Sequence, residues 1–169
     1  NNLAKSAGHQ AILKRLRKAQ QDHALAIRDV GFLPEDEIHT RSKGSSPYEA
    51  GHDEGRYPLK KIMATAEAAS MLDPRATGAL VKAFADPDIA VRYWAAMGIL
   101  MRGGDAVKSA KPALRKALAD ASPSVRVVAG EALGRYGDAQ DLAQALDVLL
   151  ELARLDKNSL HVALLALNA

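Results

Sequence analysis

Apolar residues recur at three- and four-residue steps along most of the chain, and that spacing predicts helices. Ile12, Leu13, Leu16, Ala19, His23, Ala26, Ile27 and Val30 form one stripe, so the N-terminal region reads as one long helix with Gly31 as its C-terminal stop. From Phe32 to Tyr57 the period vanishes into Gly, Pro, Ser and charge. This predicts a long surface loop with a short turn at Pro47–Ala50, anchored by Tyr48 and Tyr57. Helical spacing returns at Pro58 and carries Leu59, Ile62, Met63, Ala66, Ala69 and Met71. Asp73-Pro74 opens the next helix, Asp86-Pro87 breaks it, and another runs from Asp88 to Arg102 before Gly103-Gly104. A second pair follows: Lys111 to Ala119, a break at Ser122-Pro123, and Ser124 to Tyr136. A third starts near Asp138, runs to Leu155, and restarts at Leu160.

The pairs are copies. Sliding residues 79–103 by 34 positions onto 113–137 gives ten identities in 25 without a gap. A period of that length marks a solenoid of stacked helix pairs. Each unit has an apolar helix, an Asp, a short turn, Val-Arg, an Ala four residues past the Val, and a closing Gly. Val91, Ala95, Gly98 and Ile99 fall on one face, as do Val125, Ala129, Ala132 and Leu133. The small residues admit a neighbouring helix, and each large one contributes roughly 1.5–3 kcal/mol when fully buried. Asp86 and Asp120 can accept backbone N–H groups of the turn. Arg92 and Arg126 sit at a helix start, where the dipole disfavours a cation, so a charge-assisted bond to an Asp of the same or next repeat is the expected compensation; an anionic ligand is the alternative.

This pattern resembles the HEAT-repeat family through Asp86, Val91, Arg92 and Ala95, and again through Asp120, Val125, Arg126 and Ala129. A weaker third copy has Asp156, Leu160, His161 and Leu164. The resemblance implies an all-α fold, an α-α superhelix of helix pairs over residues 58–169, preceded by the long helix and loop of residues 1–57.

A second resemblance lies at the start. Asn1-Asn2-Leu3-Ala4, the long helix and Phe32-Leu33-Pro34-Glu35 are similar to the C-terminal end of bacterial sulfatases of the arylsulfatase and heparan N-sulfatase type. That likeness implies a parent that hydrolyses sulfuric esters with formylglycine and calcium, in the periplasm or outside the cell. The family's Cys/Ser-x-Pro-x-Arg motif has no match: Ser45-x-Pro47 is followed by Glu49 where Arg is required. The calcium-binding acidic pairs have no counterpart either. The expectation is therefore a non-catalytic interaction region, without catalytic or metal residues or a cofactor of its own, whose partner is the catalytic domain of the same protein or another protein. A free-standing HEAT adaptor is the alternative.

Composition agrees with close-packed helices: 48% apolar, only 4% aromatic and 25% charged. A net charge of +3 is too small and too evenly mixed to point to nucleic acid. No run of 18 apolar residues suggests a membrane span. There are no cysteines. His39 with His52, Asp53 and Glu54 has ligand types that suit zinc, but adjacent loop residues seldom converge, and a solvated loop is the plainer reading. Lys14, Arg15, Arg17 and Lys18 read as a solvated helix flank. Tyr93, Met97, Leu100 and Met101 form an apolar strip opposite the repeat face, a possible docking surface unless the first helix covers it. In the last helix Leu160, Ala163, Leu164 and Leu167 are expected to pack inward, leaving Val162 and Leu165 bare for a capping helix beyond Ala169 or for self-association.

Overall fold

The computed structural model describes residues 2–169; Asn1, the first residue of the Asn-Asn-Leu-Ala phrase, lies outside them. Among these residues there are helices and no strands. Ten α-helices follow in order: α1 Gln10–Ala26, α2 Glu35–Arg41, α3 Pro47–His52, α4 Leu59–Ser70, α5 Thr77–Ala83, α6 Ile89–Met101, α7 Gly104–Ala117, α8 Pro123–Tyr136, α9 Ala139–Leu152 and α10 Leu160–Leu167. None is long and apolar enough to cross a membrane.

The stack consists of the pairs α5–α6, α7–α8 and α9–α10, with α4 packed against α6 ahead of them. The second helices form a row in which α4 meets α6, α6 meets α8 and α8 meets α10. Each second helix starts on an equivalent cap. Asp88 accepts the N–H groups of Ala90 and Val91, Ser122 that of Val125, and Ser159 that of Val162. Val91, Ala95, Gly98 and Ile99, like Val125, Ala129, Ala132 and Leu133, are buried. At Gly98 the helices α4 and α6 come so close that an added Cβ would sit 2.9 Å from the Ala69 Cβ.

Several local expectations change, among them the start of the second pair, which lies at Gly104 rather than Lys111, so that Pro112 stands inside α7. The first helix ends at Ala26, before Gly31, because Arg28 takes the left-handed conformation (φ 55°) and closes a Schellman motif: Asp29 N–H bonds to Ala24 O and Arg28 N–H to Leu25 O. Arg28 holds this conformation while its guanidinium donates to Gly51 O, Glu54 and Tyr57 O. The stripe of α1 is also not its packed face: Ile12, Leu16 and Ile27 are exposed, and Ala24 is the one buried residue of the helix. Its inward side is partly polar, with Gln21 donating to Glu67 on α4.

The stretch read as a long loop folds into α2 and α3. In α2 the acidic residues Glu35, Asp36 and Glu37 occupy the first turn and His39 and Arg41 the last, an arrangement the helix dipole favours. Ser46 and Glu49 form a capping box for α3, with Pro47 in its first turn. Helices this short show no apolar period. Tyr57 is buried, its hydroxyl donating to Asp29 O at 2.5 Å, but Tyr48 is exposed and anchors nothing in the core.

The last helix is rotated from its expected setting. Val162, Ala163 and Ala166 are buried, and Leu165 packs beside Val127 and Leu152. Leu160, Leu164 and Leu167 are exposed. Val and Ala lie on the side that meets α8 and α9, where short side chains permit close approach, and the long leucines are left outside.

Candidate interaction surface

The repeat arginines bond within the stack. Arg92 donates from Nε and Nη2 to the two oxygens of Asp120, at 2.7 and 2.9 Å, and from Nη1 to the carbonyls of Asp86 and Pro87. Asp86 and Asp120 each also accept the N–H two residues on, from Asp88 and Ser122. Arg126 reaches Leu118 O and Glu151, and Lys61 reaches Asp86. These bonds form a ladder joining successive repeats. Burial alone would raise the Asp120 carboxyl, but the hydrogen bonds from Arg92 and the Ser122 N–H outweigh it and hold it below the usual carboxylate range. In the third copy Asp156 pairs only with its neighbour Arg154, and His161 stands in the arginine position.

A second bridge lies on the first-helix side. Asp141, fully buried, lies between Arg115 Nε at 2.6 Å and Lys111 Nζ at 2.8 Å, and caps α9 together with Asp138. Burial works against its ionisation, yet these two cations depress its pKa strongly.

The N-terminal segment lies along the second-helix row. Phe32 O accepts from Trp94 Nε1 on α6 at 2.8 Å. Arg41 grips Asp88, the cap of α6, with both terminal nitrogens, leaving its Nε for Glu37. Burial raises the Glu37 carboxyl, and the single bond from Arg41 does not offset it. Asp36 accepts from Ser124 on α8 at 2.5 Å, and the His39 ring stacks on His161 of α10. The segment therefore spans three repeats. Between α2 and the starts of α8 and α10 lies a groove of about 650 Å³, lined among others by Asp36, His39, Lys43, Pro123, Asn158 and His161.

The strip Tyr93, Met97, Leu100 and Met101 is mostly not a free surface. Tyr93, Met97 and Leu100 are half-buried, Tyr93 and Leu100 against the main core, and only Met101 is exposed. The reason is the stack itself. A second helix is contacted from before and after, so α6 needs apolar residues toward both α4 and α8. Val127, at the Tyr93 position of the next repeat, is buried toward α10 in the same way. The cluster that Tyr93 and Leu100 pack against contains no residue of the first helix.

Exposed leucine concentrates instead on the last pair. Leu142, Leu146 and Leu150 run down α9 at four-residue steps, and Leu160, Leu164 and Leu167 down α10, with exposures from 43% at Leu142 to 69% at Leu167. The sequence-derived metal grouping does not form: His52 stacks on Tyr48 and bonds to its carbonyl, while His39 lies with Glu35 and His161. The partners that Arg41, Asp36 and His39 find on the repeat array are 47 to 122 residues away, so no local pattern announces them. The capping pair Asp138 and Asp141 went unread in the sequence, although its three-residue spacing is that of a capping box.

These features define an α-solenoid whose repeats are tied by ion pairs at equivalent positions. Residues 77–168, more than half of the chain, match the HEAT repeats family, and the chain belongs to that family. No curated protein and no solved structure matches it.

Proposed function

We propose that this chain is a non-catalytic scaffold that binds protein through the leucine stripes of α9 and α10. The observation that carries this is six leucines at helical spacing, exposed on one helix pair of a HEAT array. Solenoid repeats cannot bury such faces alone and bury them against another body. The second-helix row is already overlaid by α2, and within the repeat array the last pair carries the longest run of exposed leucine. Light scattering tests the reading: the chain should associate, and Leu146→Lys with Leu164→Glu should return it to a monomer of unchanged helicity. A chain that is monomeric at high concentration, and whose apolar-dye binding the double change does not lower, would overturn it.

The parent is proposed to be sulfatase-like, on the support of the resemblance around Leu3, Ala4 and Phe32–Glu35. In that reading formylglycine and calcium belong to a catalytic domain encoded upstream, that domain is the partner, and the protein is periplasmic or secreted. The purified chain should then release no sulfate from an aryl sulfate. Turnover that survives repurification would refute the non-catalytic assignment.

A further inference from the structure

Glu35, His39 and His161 bring one ligand atom each to within 4.8 Å of one another. We propose that they form a zinc-class metal site that fastens α2 to α10. Glu35 and His39 lie one turn apart on α2, so the helix fixes their spacing. His161, in the first turn of α10, arrives from 122 residues further along the chain, and the two imidazole rings stack with centroids 4.8 Å apart.

The distances suit a small dication. A tetrahedral zinc with Zn–N near 2.0–2.1 Å holds its ligand atoms roughly 3.3–3.4 Å apart. His39 Nε2 and Glu35 Oε1 are already 3.3 Å apart. His161 has to close the remaining gap and turn out of its stack with His39, because the nitrogen lone pairs lie in the ring planes; all three side chains are exposed. Two imidazoles and one carboxylate select zinc and its neighbours over calcium or magnesium, which prefer oxygen ligands. Three protein ligands leave the fourth position to water. Lys43 and Lys157 line the same groove and oppose the charge of the ion, while Asp36 favours it.

Such a site acts as a staple. The ion pairs of α2 reach α6 through Asp88, and a hydrogen bond reaches α8 through Ser124; the metal would convert the ring contact with α10 into a coordinate link and close the segment over the third repeat. His161 occupies the position where the other repeats carry their bridging arginine, so the third repeat replaces an ion-pair rung with a ligand.

The test is titration of the EDTA-stripped chain with zinc chloride alone, at about pH 7.5 because protons compete with metal for these ligands, followed by calorimetry and thermal melting. One ion should bind per chain and raise the melting temperature, and calcium or magnesium should do neither. His39→Ala and His161→Ala should each weaken binding at least about tenfold and abolish the zinc-induced rise in melting temperature, whatever small metal-free change the lost ring stack brings, and His52→Ala should leave binding intact. Absence of one-to-one binding, affinity unchanged in both histidine variants, or one ion shared between two chains would overturn the proposal.

Discussion

Replacing Asp120 with Ala removes the rung between the first two repeats. Two charge-assisted bonds to Arg92 disappear, along with the acceptor for the Ser122 N–H. The Arg92 and Asp120 side chains are only 13% and 12% exposed, so water replaces the lost carboxylate incompletely. Arg92 keeps the carbonyls of Asp86 and Pro87, which places the cost at the low end for breaking a buried pair, about 3 kcal/mol. For a domain of this size that is a fall in melting temperature of roughly 6–12 °C. Urea unfolding followed by circular dichroism, with Arg92→Met and the double variant, completes a cycle whose coupling should be about 1.5–3 kcal/mol. Asp156→Ala is the internal control, because this equivalent residue is exposed and bonds only to Arg154; its cost should stay within about 0.5 kcal/mol. If Asp120→Ala costs no more than Asp156→Ala, or if the cycle shows no coupling, the ladder does not hold the repeats together.

Two further outcomes follow from geometry and charge. Gly98→Ala should destabilise by about 1–3 kcal/mol, since its Cβ would press on Ala69 and on the Leu80 side chain, whereas Gly130→Ala meets only the movable Leu149 side chain and should change stability by less than about 1 kcal/mol; equal urea midpoints for the two would contradict the close α4–α6 approach. Asp88, Asp120 and Asp141 titrate below the unfolded value of about 3.9, so their stabilisation is complete above that pH and is lost as the pH falls through their depressed native values. Glu37, raised by burial, works the other way, its contribution fading as pH rises above the ordinary range, but three carboxylates outweigh one. The urea midpoint should therefore drop steadily between about pH 4 and pH 2, and a midpoint flat to pH 2 would refute this assignment.

The repeat array was readable because its signals are local and periodic. Spacing located the inward faces around Val91 and Val125, and Asp73, Asp86, Pro123 and Gly137 marked the helix ends. What went unread depended on neighbours. The stripe of α1 was real in the sequence, but tertiary packing selected Ala24 and Gln21 instead. Helices α2 and α3 are shorter than two apolar periods and are held by caps and ion pairs. Leu160 and Val162 are equally apolar, so only the approach direction of α8 and α9 decides which is inside. The strip at Tyr93 looked solvent-facing because a comparison of single repeats cannot show that an inner helix is covered on two sides. The grouping of His39 with His161 arises only after the chain has crossed three repeats.

A bare repeat array resembles a row of dominoes: each unit leans on the next, and the row can lose its end pieces one at a time. The crossing of α2 changes that behaviour. Its contacts with Asp88, Ser124 and His161 join parts of the chain 47, 88 and 122 residues apart. The terminal pair then cannot peel away without first breaking the His39–His161 stack. Contacts of such long sequence separation set the chain apart from a purely nearest-neighbour array, and it is expected to fold more slowly than its repeats alone.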